Sequence, residues 1–327
     1  MSLAPLKMTV NTLNPRVTRK IQNIGEVCDF EILDRVSLLF CLTKHIGRFE
    51  LLNLKTLRPV RVFSLFSPAT ISYNFNKIKV HDSSGTFCCL QANKTFQSRV
   101  FIANYRSNYS TSIPYECSNS TKAIALFQDL LITAGSSSKI RFWDIHTGGF
   151  IDDISFSWNS VSISAITPYE EKLVLVCAEE TTSSLWIVSL QTKKLVKVLP
   201  MDAGQQIISA PLRNTIACMT PSQRILKFWG IIKKSSDGHD FEFRKKISLN
   251  SHGNFLLVSQ SDDEEDDLII YATLNGIKYQ SIATNQVFAE LPITWSRKGP
   301  AKNPIKALIK RNGWVLLHDG TRTLLIS

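Results

Sequence analysis

Six acids stand in a row at Asp262-Asp263-Glu264-Glu265-Asp266-Asp267, the longest run of like charge in the 327 residues. Six like charges repel, so the run does not suit a strand and predicts a loop inserted over 259–267. One reading is a solvated excursion. The other is a docking site for a basic partner, or a phosphorylated segment. Ser259 and Ser261 lie just upstream of the acids, where phosphate would deepen the charge. A calcium loop would need a glycine and a backbone-turn pattern that this run lacks.

Opposite charge gathers elsewhere. Arg297, Lys298, Lys302, Lys306, Lys310 and Arg311 fall within fifteen residues that contain no acid, and residues 1–25 carry Lys7, Arg16, Arg19 and Lys20, again without an acid. Such cations merely solvate a rim, or they attract phosphate or acidic protein from a distance. The second reading makes Arg16, Arg19, Lys20 and the six cations between 297 and 311 a partner-binding seam for an acidic protein or RNA. Ser296 to Pro304 reads as a Gly/Pro loop, where recognition residues commonly sit. Only Trp295 and Trp314 interleave with these cations, which is thin support for base stacking.

Catalytic constellations are missing. His81-Asp82 and His318-Asp319 occupy turn positions, and neither has a third group in sequence. Gly135-Ser136-Ser137-Ser138 lacks the second glycine of a nucleophile elbow. No phosphate loop, dinucleotide fingerprint or zinc spacing occurs. The expectation is a non-enzyme with no cofactor, no metal and no small-molecule substrate. Trp143, Trp186 and Trp229, spaced 43 and 43 residues apart, invite a ligand cage. They fall within apolar strand patterns, however, and read as sheet core.

The elements that position these residues follow a period. A small polar residue, an apolar one, any residue and then Thr recurs as Asn53-Leu54-Lys55-Thr56, Asp144-Ile145-His146-Thr147, Ser189-Leu190-Gln191-Thr192 and Ser281-Ile282-Ala283-Thr284. The threonines are 91, 45 and 92 residues apart, multiples of a period of about 45. Turns are thereby predicted near 12, 56, 102, 147, 192, 238 and 284. Short apolar segments fill the intervals, and no stretch keeps helical periodicity beyond two turns. The last unit lacks its final strand at the C-terminus. The strand at about Arg16 to Ile24 belongs to no unit and can supply it.

Composition bounds the rest. Hydrophobic residues make up 44% of the chain, with mean hydropathy near zero and a formal charge of +11. The longest apolar run, Val36 to Leu42, is far too short to span a bilayer, so membrane insertion is not expected. The first twenty residues are broken by Pro5, Lys7, Asn11 and Pro15 and do not read as a signal peptide. Cysteines at 28, 41, 88, 89, 117, 177 and 218 form no ligand spacing. An odd, scattered set fits a reducing compartment, nuclear or cytoplasmic and not secreted. The three glycosylation-type triplets, at Asn93, Asn108 and Asn119, then carry no meaning.

Trp143-Asp144 followed by Thr147-Gly148, with Thr133 ten residues before the tryptophan, resembles the WD-repeat family. The family's Gly-His pair is absent. Ser136-Ser137-Ser138 stands where the family's turn aspartate is expected. The resemblance implies an all-β, seven-bladed β-propeller over residues 1–327, closed by an N-terminal strand that completes the last blade. It also implies a non-catalytic protein-interaction scaffold, a subunit of a multiprotein complex that contacts other protein subunits. Two alternatives are an RNA-contacting accessory subunit in ribosome assembly or RNA modification, and a substrate receptor of a ubiquitin ligase.

Overall fold

The computed structural model describes residues 17–21, 27–33, 38–43, 48–53, 56, 58–64, 75–81, 83–92, 98–107, 110–113, 121–137, 139–156, 162–169, 173–179, 183–200, 206–207, 215–220, 225–233, 239–249, 256–259, 268–295, 306–309, 315–318 and 323–326. Every regular element among them is a strand. In chain order they are β1 Val17–Ile21; β2 Val27–Leu33, β3 Leu38–Thr43, β4 Arg48–Asn53 and β5 Pro59–Ser64; β6 Phe75–His81, β7 Thr86–Ala92, β8 Ser98–Asn104 and β9 Ser110–Ser112; β10 Thr121–Phe127, β11 Leu130–Gly135, β12 Lys139–Asp144 and β13 Phe150–Ser155. Then come β14 Ser162–Tyr169, β15 Leu173–Glu179, β16 Ser183–Ser189 and β17 Lys194–Pro200; β18 Gln206–Ile207, β19 Thr215–Thr220, β20 Ile225–Lys233 and β21 His239–Ser248; β22 Leu256–Ser259, β23 Leu268–Ala272, β24 Gly276–Ser281 and β25 Val287–Pro292; β26 Lys306–Ile309, β27 Val315–His318 and β28 Thr323–Ile326. Each group of four forms an antiparallel meander. The last three strands take β1 at their edge, in the order β1-β28-β27-β26.

A recurring corner builds these meanders. Between the third and fourth strands the ladder slips by one residue at matching places: Leu51/Leu52, Phe142/Trp143, Ile187/Val188, Phe228/Trp229 and Tyr279/Gln280. Such a bulge bends the strand and sharpens its twist. One residue later a short polar side chain caps the turn. Asn53 Oδ1 accepts from the Thr56 N–H at 2.9 Å, and Asp144 Oδ1 from Thr147 at 2.7 Å. Ser189 Oγ accepts from Thr192 at 3.1 Å, and Ser281 Oγ from Thr284 at 3.2 Å. Asn104 does the same for Ser107 at 3.0 Å. The next residue enters the left-handed region: Gly148 at φ 72°, Lys193 at 54°, Asn285 at 63°. The periodic threonines are the donors of this turn.

The expected seven-bladed WD-repeat propeller is corrected here. The sheets are separate and small, and none is closed or strongly curled. Pairing β1 with β28 makes an edge of one open sheet and closes none. The chain divides into two compact units: residues 26–205, with four sheets, and residues 1–25 with 206–327, with three. The family assignment falls with the ring. The physical reason is range. Each corner is fixed by bonds between neighbours in sequence, so its recurrence counts sheets without fixing their arrangement. Trp143-Asp144 is one instance of a corner that elsewhere reads Leu52-Asn53, Val188-Ser189 and Gln280-Ser281.

Within each unit, neighbouring sheets pack face to face. In residues 26–205, Leu33, Phe49 and Leu51 meet Ile78, Phe87 and Cys89. Cys88, Leu90, Val100 and Ile102 meet Ile124, Leu131 and Trp143, and Ile132, Ile140 and Phe142 meet Ile163, Trp186 and Val188. Cys88 and Cys89 therefore face opposite cores, because successive side chains of a strand alternate. Burial pushes both thiols far up from their usual range. In the other unit, Leu226 and Phe228 meet Ile269 and Tyr271, and Ile270 and Tyr279 meet Leu324 and Ile326.

The first strands of the 26–205 unit are stitched by polar groups. The Ile78 N–H donates to Asp29 Oδ2 at 2.9 Å, and the Lys79 ammonium pairs with Glu31. Lys77 Nζ donates to the Lys122 carbonyl at 3.1 Å, and Lys122 Nζ to Ser162 Oγ at 2.8 Å. Burial disfavours the charged form of Lys79, but attraction to Glu31 and Asp29 outweighs it and raises the ammonium's pKa.

Two tryptophans occupy the bulge position, and they are satisfied differently. Trp143 lies opposite Leu131, and its Nε1–H donates to Thr133 Oγ1 at 2.9 Å in a fully buried site. Trp229 lies opposite Ile216, so the register puts Cys218 where Thr133 stands in the other sheet. The buried indole N–H of Trp229 has no acceptor. Thr133→Val should lower unfolding free energy by about 1–3 kcal/mol, the cost of a stranded buried donor. Cys218→Thr should raise it by about 1 kcal/mol, the worth of one new hydrogen bond. Urea unfolding of the full chain checks both. A destabilised Cys218→Thr protein or an unaffected Thr133→Val protein would contradict the register argument.

Candidate interaction surface

The sheets' fourth strands carry an unexpected distribution of side chains. Among the described residues, the large apolar side chains that remain exposed are Val60 and Val62 on β5, Phe150 and Ile151 on β13, Val196 and Val198 on β17, Phe243 on β21, Val287 on β25, and Leu274 in the β23–β24 turn. All but Leu274 lie on an edge strand. Edge strands present unpaired backbone groups, and natural sequences blunt them with bulges and charge. The corner bulge does this in five sheets, so these edges suit side-chain contact better than strand addition.

Part of this surface is a cleft between the β10–β13 and β14–β17 sheets. Leu130, Phe142, Ile151 and Leu190 line it, with Asp152 and Lys193. It is open to solvent at the mouth. Phe142 belongs to the core cluster beneath, so the cleft opens onto the core itself. Ile151 is 52% exposed, and its neighbour Phe150 is 56% exposed while packing edge-on against Trp143, with ring centroids 5.4 Å apart. At the mouth the Lys193 ammonium pairs with Asp152 of the facing sheet. Lys193 holds the left-handed corner position, which costs a non-glycine residue about 1–2 kcal/mol. Its lysine side chain is what crosses to Asp152. Beside the cleft, Lys139 Nζ pairs with Asp153 at 2.9 Å, and His146 Nε2 lies 3.4 Å from Asp129.

Of the residues singled out from sequence, Arg16, Arg297, Lys298, Lys302, Lys310, Arg311 and the acids Asp262 to Asp267 lie outside the described residues. Arg19 and Lys20 lie on β1, and Lys306 on β26, at opposite edges of one four-stranded sheet. The acidic run connects β22 to β23, which pair at Ser259 and Leu268. His81 closes β6, where its Nδ1 is 2.8 Å from Ser84 Oγ. Trp143 and Trp186 are buried in sheets, and Trp186 precedes the slip where Trp143 and Trp229 follow it. Sequence reading missed the edge residues. Their signal is that β17, Lys-Leu-Val-Lys-Val-Leu-Pro, is apolar on both faces, although an edge strand needs only one.

Among the described residues, no three His, Cys, Asp or Glu side chains gather as a metal site, and no helix is long and apolar enough to cross a membrane. Comparison with protein-family models and with curated proteins finds no match for this chain.

The corner that flanks the cleft is tied to pH. Asp144 is held below the usual carboxylate range, chiefly by the Thr147 N–H, with the Thr147 hydroxyl and the His146 N–H adding to it. A depressed folded-state pKa stabilises the fold above the unfolded value of about 3.9, and that contribution is lost as pH falls through the folded value. Asp144→Asn keeps an acceptor oxygen without the titration. The wild type should therefore lose more stability than this variant between about pH 4 and pH 2, measured by urea midpoints. Parallel acid slopes would contradict the assignment.

Proposed function

We propose that this chain is a non-catalytic protein-interaction scaffold that presents the edges of its sheets to partner proteins. The carrying observation is that exposed large apolar side chains concentrate on fourth strands. Apolar residues scattered singly over a surface need no explanation, but clustered ones mark contact sites. Ile151 lines the cleft, its neighbour Phe150 lies exposed against Trp143, and Val196 and Val198 stand exposed on the neighbouring sheet's edge strand. The corner bulges support the same reading, because they discourage open-ended strand pairing while leaving side chains available.

Single charge insertions at different edges test this. Val60→Asp, Ile151→Asp and Phe243→Asp each alter a residue more than half exposed, so thermal midpoints should stay within about 2 °C of wild type for the first two, as expected for surface changes, and fall further for Phe243→Asp, which also loses the edge-on contact with Trp229. Quantitative mass spectrometry of co-purifying proteins should show a distinct subset lost from at least one variant. An identical set at identical amounts from all three would refute the proposal.

A further inference from the structure

We propose that one register position on the fourth strands works as a latch, whose side chain holds the corner of the following sheet in place. Among the described residues, four sheets have a following corner within the same compact unit, and in all four the contact is made from the same position. Arg61 on β5 lies opposite Leu51, Asp152 on β13 opposite Phe142, and Lys245 on β21 opposite Phe228, in each case the last residue before the ladder slips. Thr111 on β9 lies opposite Ile102, two residues before the cap Asn104, as Leu51 stands two before Asn53 and Phe142 two before Asp144.

Each of these side chains leaves its own sheet. Arg61 donates a guanidinium N–H to the Tyr105 carbonyl in the corner after β8. Thr111 closes over the corner after β12: a Cβ at Gly148, where φ is 72°, would stand 3.2 Å from the threonine Cγ2. Asp152 pairs with Lys193 in the corner after β16. The Lys245 ammonium donates to the carbonyls of Ile282 and, at 3.0 Å, Ala283 in the corner after β24. A carbonyl in a corner lies outside the ladder, and a cation from the neighbouring sheet gives it a donor. The four residue types differ, so the register marks the position and no motif does. On β5 the next side chain, Val62, is exposed on the opposite face of the strand, as alternation requires. One face of that edge strand therefore looks outward while the other grips the next corner. The order of a corner then depends on the edge strand of the sheet before it.

Hydrogen exchange of the full-length chain, read by mass spectrometry on peptides covering 189–194 and 144–149, tests the proposal. Asp152→Asn keeps the oxygen that accepts the Asp153 N–H at 2.8 Å and removes the charge that faces Lys193. The amides of 189–194 include the Thr192 N–H bonded to Ser189 Oγ. They should exchange about two- to fivefold faster, the range that a partly exposed ion pair supports. Those of 144–149, in the variant's own sheet, should keep the wild-type rate. Reversing the pair with Asp152→Lys and Lys193→Asp together should slow exchange over 189–194 relative to Lys193→Asp alone, since aspartate tolerates the left-handed corner position. Lys245→Met repeats the test in the other unit, where 281–286 should exchange faster. Unchanged exchange over 189–194 or 281–286, equal acceleration of 144–149, or a reversed pair no slower than Lys193→Asp would overturn the proposal.

Discussion

The corner between the third and fourth strands is the constraint on which the rest of the structure depends. It combines a one-residue slip in the ladder, a side-chain oxygen that takes the N–H three residues on, and a left-handed residue that turns the chain back. None of these is strong alone. A neutral hydrogen bond contributes on the order of 1 kcal/mol net. Together they fix where each hairpin turns and which side chains face the core, since a one-residue error would exchange the two faces of the strand. The bulge also twists the fourth strand at the sheet edge.

Each sheet holds three kinds of strand. First strands are joined to their neighbours by lysines, carboxylates and hydroxyls, as Asp29, Glu31, Lys77, Lys79, Lys122 and Ser162 show. Middle strands are buried on both faces, which is why β7 and β11 read as near-continuous apolar runs. Fourth strands have one neighbour only, and their apolar side chains stay partly in water. The inner three strands thus hold most of the buried apolar side chains, and the exposed ones lie on the outer strand. The cleft beside Ile151 is where this division is sharpest, with core on its floor and solvent at its mouth.

The strands and corners were legible in the sequence because both are local. Alternating apolar residues mark strands, and a capped turn needs particular residues at fixed spacing, so Asn53, Asp144, Ser189 and Ser281 could be read directly. Thr133 and Trp143, which are hydrogen-bonded in the structure, were singled out in the sequence only through the family resemblance. The arrangement of sheets was not legible, because no short pattern encodes how separate sheets stand to one another, and a closed ring inferred from the period and the family resemblance did not survive. Equal spacing also misled at the tryptophans. Trp143, Trp186 and Trp229 are evenly spaced in sequence, yet the ladder slips after Trp186 and before Trp143 and Trp229, so the three are not equivalent. The exposed edge residues were invisible because Val196 and Ile151 read in sequence like any core residue. The charged stretches drew the eye first, and most of them lie outside the described residues.

On the proposed function, fourth-strand apolar side chains are covered by partner proteins and not by this chain. Hydroxyl-radical footprinting of the purified chain, alone and within its native assembly, tests it most directly. Phe150, Ile151 and Phe243 should react readily in the free chain and at least one of these edges should be protected in the assembly, while buried Trp143 stays unreactive in both. Equal modification of both edges in both states, or a reactive Trp143, would contradict the account.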